Sequence, residues 1–315
     1  MLTLETSQDN TLYEDITGAL SNGAGQHLFA GRNGDGGGRL LMRGLVMFDV
    51  ASHIPPGSII NSVALSLNAS TPTPRTGTVT LHPVLAPWGE GLSVGGGMGE
   101  ALGAAPTPGD ATWIHTHFDT AFWTNPGGDF NPQPSASLAV TGNGPQGIAS
   151  TLEMVADVQG WVDDPASNNG WLILQENEAM SQAMRFDSRD NVNPAVRPLL
   201  TIDFALPPML ISPPSGIFAL TQVMDIVLFV NLPPERTIAG AMAFLDGVDV
   251  SADYGLCFLN GTGTVTEGGQ TFRCPNRSAA AIGVGSHTLQ VVLNLDDGTP
   301  LEQAVNWLIL PNTEP

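Results

Sequence analysis

The sequence predicts an all-β protein: a jelly-roll-like β-sandwich with one short helix, followed by a C-terminal immunoglobulin-like β-sandwich. Three observations lead there. First, the run RLLMRGLVMFDV from Arg39 is apolar on both faces, and after Pro55, Pro56 and Gly57 the segment IINSVALSLN alternates Val63, Leu65 and Leu67 with Ala64, Ser66 and Asn68. A strand buried on both faces, a turn, and a half-buried strand of period two are the seed of a sandwich. Second, Gly (37) and Pro (25) are abundant, as many short strands with many turns require. Third, the strand pattern restarts after a proline-rich stretch, ALPPMLISPP at 205–214.

Taken in order, residues 1–30 read as a first strand and a polar turn. Residues 31–38, GRNGDGGG, form a glycine-rich hairpin tip; no Lys follows, so it is not a phosphate cradle. The segment 76–84 gives an alternating strand with Val79 and Leu81 facing inward. The long irregular stretch 85–135 contains Trp88, Trp113 and Trp123; a stretch of this length is either functional or packs as its own layer. Residues 150–163 predict the one helix, with a Ser150/Glu153 capping box and Leu152, Val155, Val158 and Val162 at helical spacing. Strands follow at Trp171–Leu174 and at Arg197–Phe204. The expected domains are therefore 1–204 and 215–315, joined by a stiff linker at 205–214. In the second domain Asp297-Gly298 marks a hairpin between the last two strands.

Charge narrows the function classes. Thirty acidic residues face ten basic ones, all Arg, for a net charge of −20. Such a chain repels nucleic-acid phosphates and anionic membranes, so neither is an expected partner. No apolar run has the length of a membrane span, so no membrane insertion is expected. Without Lys there is no Schiff-base chemistry. Two cysteines, Cys257 and Cys274, are placed to close a hairpin-sized loop as a disulfide worth about 3 kcal/mol, which points to an oxidising compartment. The sequence opens without a basic-then-apolar leader, so the expectation is a mature chain whose secretion signal has been removed or replaced.

Residues 1–204 carry a further pattern: Arg43–Val50 with Phe48-Asp49, Pro55–Leu67, Trp88-Gly-Glu90, Ala111-Thr-Trp113, Gly127–Phe130, Asp157–Trp161, Asn169–Trp171, Arg185–Arg189 and Arg197-Pro198. In this order these resemble the DNRLRE-domain family of secreted bacterial proteins. The resemblance implies a jelly-roll sandwich, secretion and a non-catalytic module; some relatives resemble modules that bind alginate, and others sit in surface or matrix proteins. The second domain resembles generic bacterial Ig-like modules.

Candidate sites are few. Gly91-Leu-Ser93-Val-Gly95 matches a nucleophile elbow, but more glycines follow where a helix is needed. Gly142–Gly147 matches a dinucleotide fingerprint without its βαβ unit. Carboxylates and amides in irregular loops suit Ca²⁺: Asp163, Asp164, Asn168 and Asn169 after the helix, Asp187 with Asp190, and Asn33 with Asp35. On a strand, His115, His117 and Asp119 would share one face and suit a transition metal. Trp88, Trp113 and Trp123 are either core or stacking platforms for sugar rings. The expected function is a non-enzymatic, secreted structural or adhesive protein at a bacterial cell surface or outside the cell. It would self-associate or join other surface proteins in a filament or matrix. The alternative is a carbohydrate-binding module recognising a polysaccharide.

Overall fold

The computed structural model describes residues 1–315 except 74, 233–235, 253, 255–263, 267–268 and 312–315, with no side-chain detail at 223–225, 264–266 and 269–277. The chain forms two compact units, Met1–Ala205 and Leu206–Pro315. The expected Cys257–Cys274 disulfide lies outside the described residues.

The first unit contains β1 (Leu2–Glu5), β2 (Gln8–Tyr13), β3 (His27–Arg32), β4 (Leu41–Met47), β5 (Ile59–Ala69), β6 (Gly77–Pro83), β7 (His115–His117), β8 (Ala121–Phe122), β9 (Ala136–Val140), β10 (Gly144–Ile148), α1 (Leu152–Asp163), β11 (Trp171–Gln175), β12 (Met184–Asp187) and β13 (Leu199–Ala205). The strands hydrogen-bond in the order β1-β13-β5-β12-β3-β4-β11-β6-β9, with β10 on β5 and β2 on β4. Strand β3 pairs with β12 through its first four residues, His27–Ala30, and with β4 at Gly31 and Arg32. Through β3 the path folds over, so that Val63, Leu65 and Leu67 of β5 share a core with Val79, Leu81, Trp171 and Ile173 of the other half. The alternation read in β5 is the alternation that points these side chains inward.

Helix α1 covers this core with Met154, Val158, Trp161 and Val162. The expected Ser150 capping box does not form. Thr151 is the cap, accepting from the Met154 N–H at 3.0 Å, while Ser150 Oγ accepts from the Val63 N–H of β5 at 3.0 Å. Leu152, in the first turn, faces outward and is 84% exposed; the buried face is Met154, Val158, Trp161 and Val162 instead.

Residues 85–135 form a third layer against the outer face of the β2-β4-β11 sheet. Trp88, Trp113 and Trp123 pack on Leu12, Leu45 and Leu172. That layer explains why β4 is apolar on both faces: Val46 enters the sandwich core, and Leu41 and Leu45 enter the outer one.

The second unit contains β14 (Met209–Ser212), β15 (Gly216–Ala219), β16 (Val223–Val230), β17 (Ile238–Leu245), β18 (Val248–Asp249), β19 (Thr264–Thr266), β20 (Gly269–Ser278), α2 (Ala279–Ile282), β21 (Gly285–Leu295) and β22 (Pro300–Leu310). Two sheets, β14-β16-β20-β19 and β15-β22-β21-β17-β18, enclose a core around Ile226, Leu228, Leu289, Val291 and Trp307. The stretch 205–214 is not simply a linker. Met209–Ser212 pairs antiparallel with β16, and the chain then crosses at Pro213-Pro214 so that β15 pairs parallel with β22. Met209 and Ile211 are apolar enough to be buried there, which the prolines around them obscured. The Asp297-Gly298 turn joins β21 to β22, with Gly298 at φ 83. No helix among the described residues is long and apolar enough to cross a membrane.

Asp157 on α1 ties the helix to the sheet. It accepts from Trp171 Nε1 at 2.7 Å and from Ser135 Oγ at 2.5 Å, and burial pushes its carboxyl above the ordinary range against the pull of those donors. Above about pH 4 the unfolded chain has released this proton while the native state still holds it. The native state then binds more protons, so the Asp157 contribution to stability falls as pH rises through that window. Urea unfolding of the native protein and of Asp157→Asn at a series of pH values should give stability curves whose difference slopes downward from about pH 4. Parallel curves would show that Asp157 does not titrate in this way.

Candidate functional site

The first unit carries a cavity of about 310 Å³ whose lining includes Phe29, Asn33, Thr71, Arg75, Met98 and Arg185. Strand β3 supplies Phe29 as an apolar wall, and the glycine-rich tip that follows β3 supplies Asn33. Asn33 is 7% exposed; its Nδ2 donates to the Ala101 carbonyl at 3.2 Å, and its Oδ1 accepts from nothing. Arg185, on β12, donates through Nη2 to the Ser70 carbonyl and leaves Nε buried without a partner. Burial lowers the basicity of its guanidinium. The cavity thus places two arginines, Arg75 and Arg185, beside the apolar Phe29 and Met98. Those groups suit a small ligand bearing hydroxyl or carboxylate groups.

The three tryptophans are not stacking platforms. Trp88, Trp113 and Trp123 are 4%, 7% and 5% exposed. Trp88 Nε1 donates to the Asn169 carbonyl at 2.8 Å, and Trp123 Nε1 donates to the Thr112 carbonyl at 2.9 Å. The Arg43 guanidinium lies 5.0 Å from the centre of the Trp113 ring and forms a two-pronged pair with Glu178, at 2.9 and 3.0 Å. Gly127 holds the same arginine through its carbonyl at 2.7 Å; its φ of 90 and the closeness of the Trp113 ring leave no room for a side chain.

His115, His117 and Asp119 do not converge. The strand ends at His117, and Asp119 lies in a turn with φ 61. His115 is buried against Phe122, its ring centre 4.5 Å away, with Nδ1 against Thr112 Oγ1 at 2.9 Å. Burial lowers its tendency to protonate.

The residues considered for Ca²⁺ separate into different roles. Asp163 accepts from Gln159 at 3.0 Å, Asp164 caps the turn at 165–167, and Asn168 bridges the Phe48 carbonyl and the Gly170 N–H. Asn169 lends its carbonyl to Trp88. Asp35 is exposed and pairs with Arg39 at 3.0 Å, while Asn33 turns into the cavity. Asp187 is saturated by protein donors: Asn68 at 2.6 Å, Ser70 at 2.8 Å and Asn191 at 3.1 Å. Asp190, three residues on, points elsewhere and meets Asp9 and Glu90. Sequence reading missed Asp9 and Glu90. The available signal was the run Asp9-Asn10-Thr11 in a strand, all fully buried, since consecutive buried polar side chains need partners.

No family model and no curated protein matches this chain. Among solved structures, the fibronectin(III)-like modules of Clostridium thermocellum CbhA are 16% identical over 33% of this chain and 46% of theirs, with a TM-score of 0.22. CopC from Methylosinus trichosporium OB3b is 12% identical over 34% of this chain and 94% of its own, also at 0.22. Dimeric latent PorU from Porphyromonas gingivalis is 9% identical over 88% of this chain and 22% of its own, at 0.24. The chain therefore spans less than half the length of the CbhA structure, and superpositions this partial bear on neither ligand nor partner.

Proposed function

We propose that the chain is a non-enzymatic structural subunit of an assembly at a bacterial cell surface or outside the cell. The observation that carries this reading is the edge at β9. This strand ends the sheet path with β6 as its one neighbour among the described strands. Its five residues, Ala136-Ser-Leu-Ala-Val140, include no charge and no proline, the devices that keep an edge from pairing with another chain. Leu138 and Val140 are anchored in the core, while Ser137 and Ala139 are exposed. A strand from a second copy, or from a related surface protein, is the partner such an edge fits. The residues of 1–204 that resemble the DNRLRE-domain pattern support a secreted module. The packing of the long 85–135 segment as a layer rather than a lid supports a structural role.

Light scattering of the native protein is expected to show species larger than a monomer, and Ala139→Lys, which adds an edge charge on an exposed position, is expected to return it to monomer. A native protein that stays monomeric would overturn the reading.

A second reading, a carbohydrate-binding module, is favoured by the cavity with Arg75 and Arg185 in its lining. The ligand class that answers those groups is an acidic or hydroxyl-rich sugar. Retention on a polyuronate column should fall in Arg75→Ala with no change in urea stability; equal retention of both proteins would remove the cavity from consideration.

A further inference from the structure

We propose that Asp9, Glu90 and Asp190 form a Ca²⁺ site that fastens the third layer to the sandwich. The three residues come from three separate parts of the first unit: β2, the Trp88–Gly91 loop and the turn after β12. Each brings a carboxylate oxygen to within 4.8 Å of the other two. Oxygens on opposite sides of a Ca²⁺ ion lie about 4.6–5.2 Å apart, so one ion can touch all three.

The hydrogen bonds around the cluster leave two groups over. Glu90 is used on both oxygens: Oε1 accepts from the Asp9 N–H at 2.8 Å and Oε2 pairs with Arg189 Nη1 at 2.5 Å. Asp9 Oδ2 accepts from the Arg189 N–H at 2.7 Å. Asp9 Oδ1 has no partner, although Asp9 is 0% exposed. The Asp190 carboxylate, half-buried, makes no hydrogen bond or ion pair among the described residues; its backbone N–H donates to Ser188 Oγ at 3.1 Å. Among the described residues, Arg189 is the one cation that faces these three carboxyl groups. A buried carboxylate oxygen without a donor is costly, and a hard divalent cation answers both the orphaned oxygen and the surplus charge. Close packing holds the loop in place from the other side. Gly23 lies so near the Glu90 carbonyl that a Cβ there would sit 1.7 Å from it.

Calorimetric titration of the full chain with CaCl₂, after dialysis against chelator, tests the site. One saturable site per chain is expected, at least tenfold weaker in Asp190→Asn. That side chain makes no hydrogen bond within the protein, so the variant is expected to fold. Amide exchange of the native chain provides a second reading: CaCl₂, but not NaCl of equal ionic strength, should slow exchange at 88–91 and 188–190. The proposal is overturned by no saturable binding, by binding that Asp190→Asn leaves intact, or by exchange in those loops that CaCl₂ does not change.

Discussion

Strands β4 and β11 carry apolar side chains on both faces, so a two-sheet sandwich alone would leave Leu45 and Leu172 in water. Burying a leucine contributes about 1.5–3 kcal/mol, and these two sit side by side with Leu12 and Leu41 on one outer face. Something must cover that face. The chain does it with the irregular segment 85–135, using three tryptophans whose rings supply area and whose indole N–H groups need acceptors. Trp88 and Trp123 find backbone carbonyls. The layer then brings Glu90 and Glu100 onto the sandwich, where they accept from the Asp9 and His27 backbone N–H groups, while Asp110 accepts from Thr107 within the layer.

Charge is placed with the same economy. With ten arginines and thirty acids, most carboxylates have no cation of their own. In the first unit three arginines are set where two segments meet. Arg43 joins β4 to Glu178 and Gly127; Arg32 joins β3 to Glu14 at 2.6 Å; Arg189 joins the turn after β12 to Glu90. A planar guanidinium serves such joints better than an ammonium because it meets several acceptors in fixed directions. Other buried carboxylates accept their hydrogen bonds from neutral donors, as at Asp187 and Asp157. The Asp9–Glu90–Asp190 group is the place among the described residues where three acids converge on one arginine.

Much of the architecture was legible because strand signals are local. The period-two pattern of β5, the two-faced apolar run of β4 and the Asp297-Gly298 turn each require only a few neighbouring residues to be read. The start of α1 was off by one because Ser150 and Thr151 are both good caps, and tertiary pairing of Ser150 with β5 decided between them. Strand β14 was hidden by prolines on both sides. The sites were much less legible, since they depend on what distant segments bring together. Asp187 and Asp190 are neighbours in sequence and read as one group, yet one faces Asn68 and Ser70 and the other faces Asp9 and Glu90. The tryptophans could be read either as core or as platforms until the outer face of β4 and β11 was seen to need covering.

The packed third layer is what the rest depends on, and urea unfolding of Trp88→Ala, Trp113→Ala and Trp123→Ala tests it most directly. If the layer is core, each substitution should cost about 3–5 kcal/mol of stability. Variants as stable as the native protein would contradict the account, because they would place the tryptophans on a surface rather than beneath one.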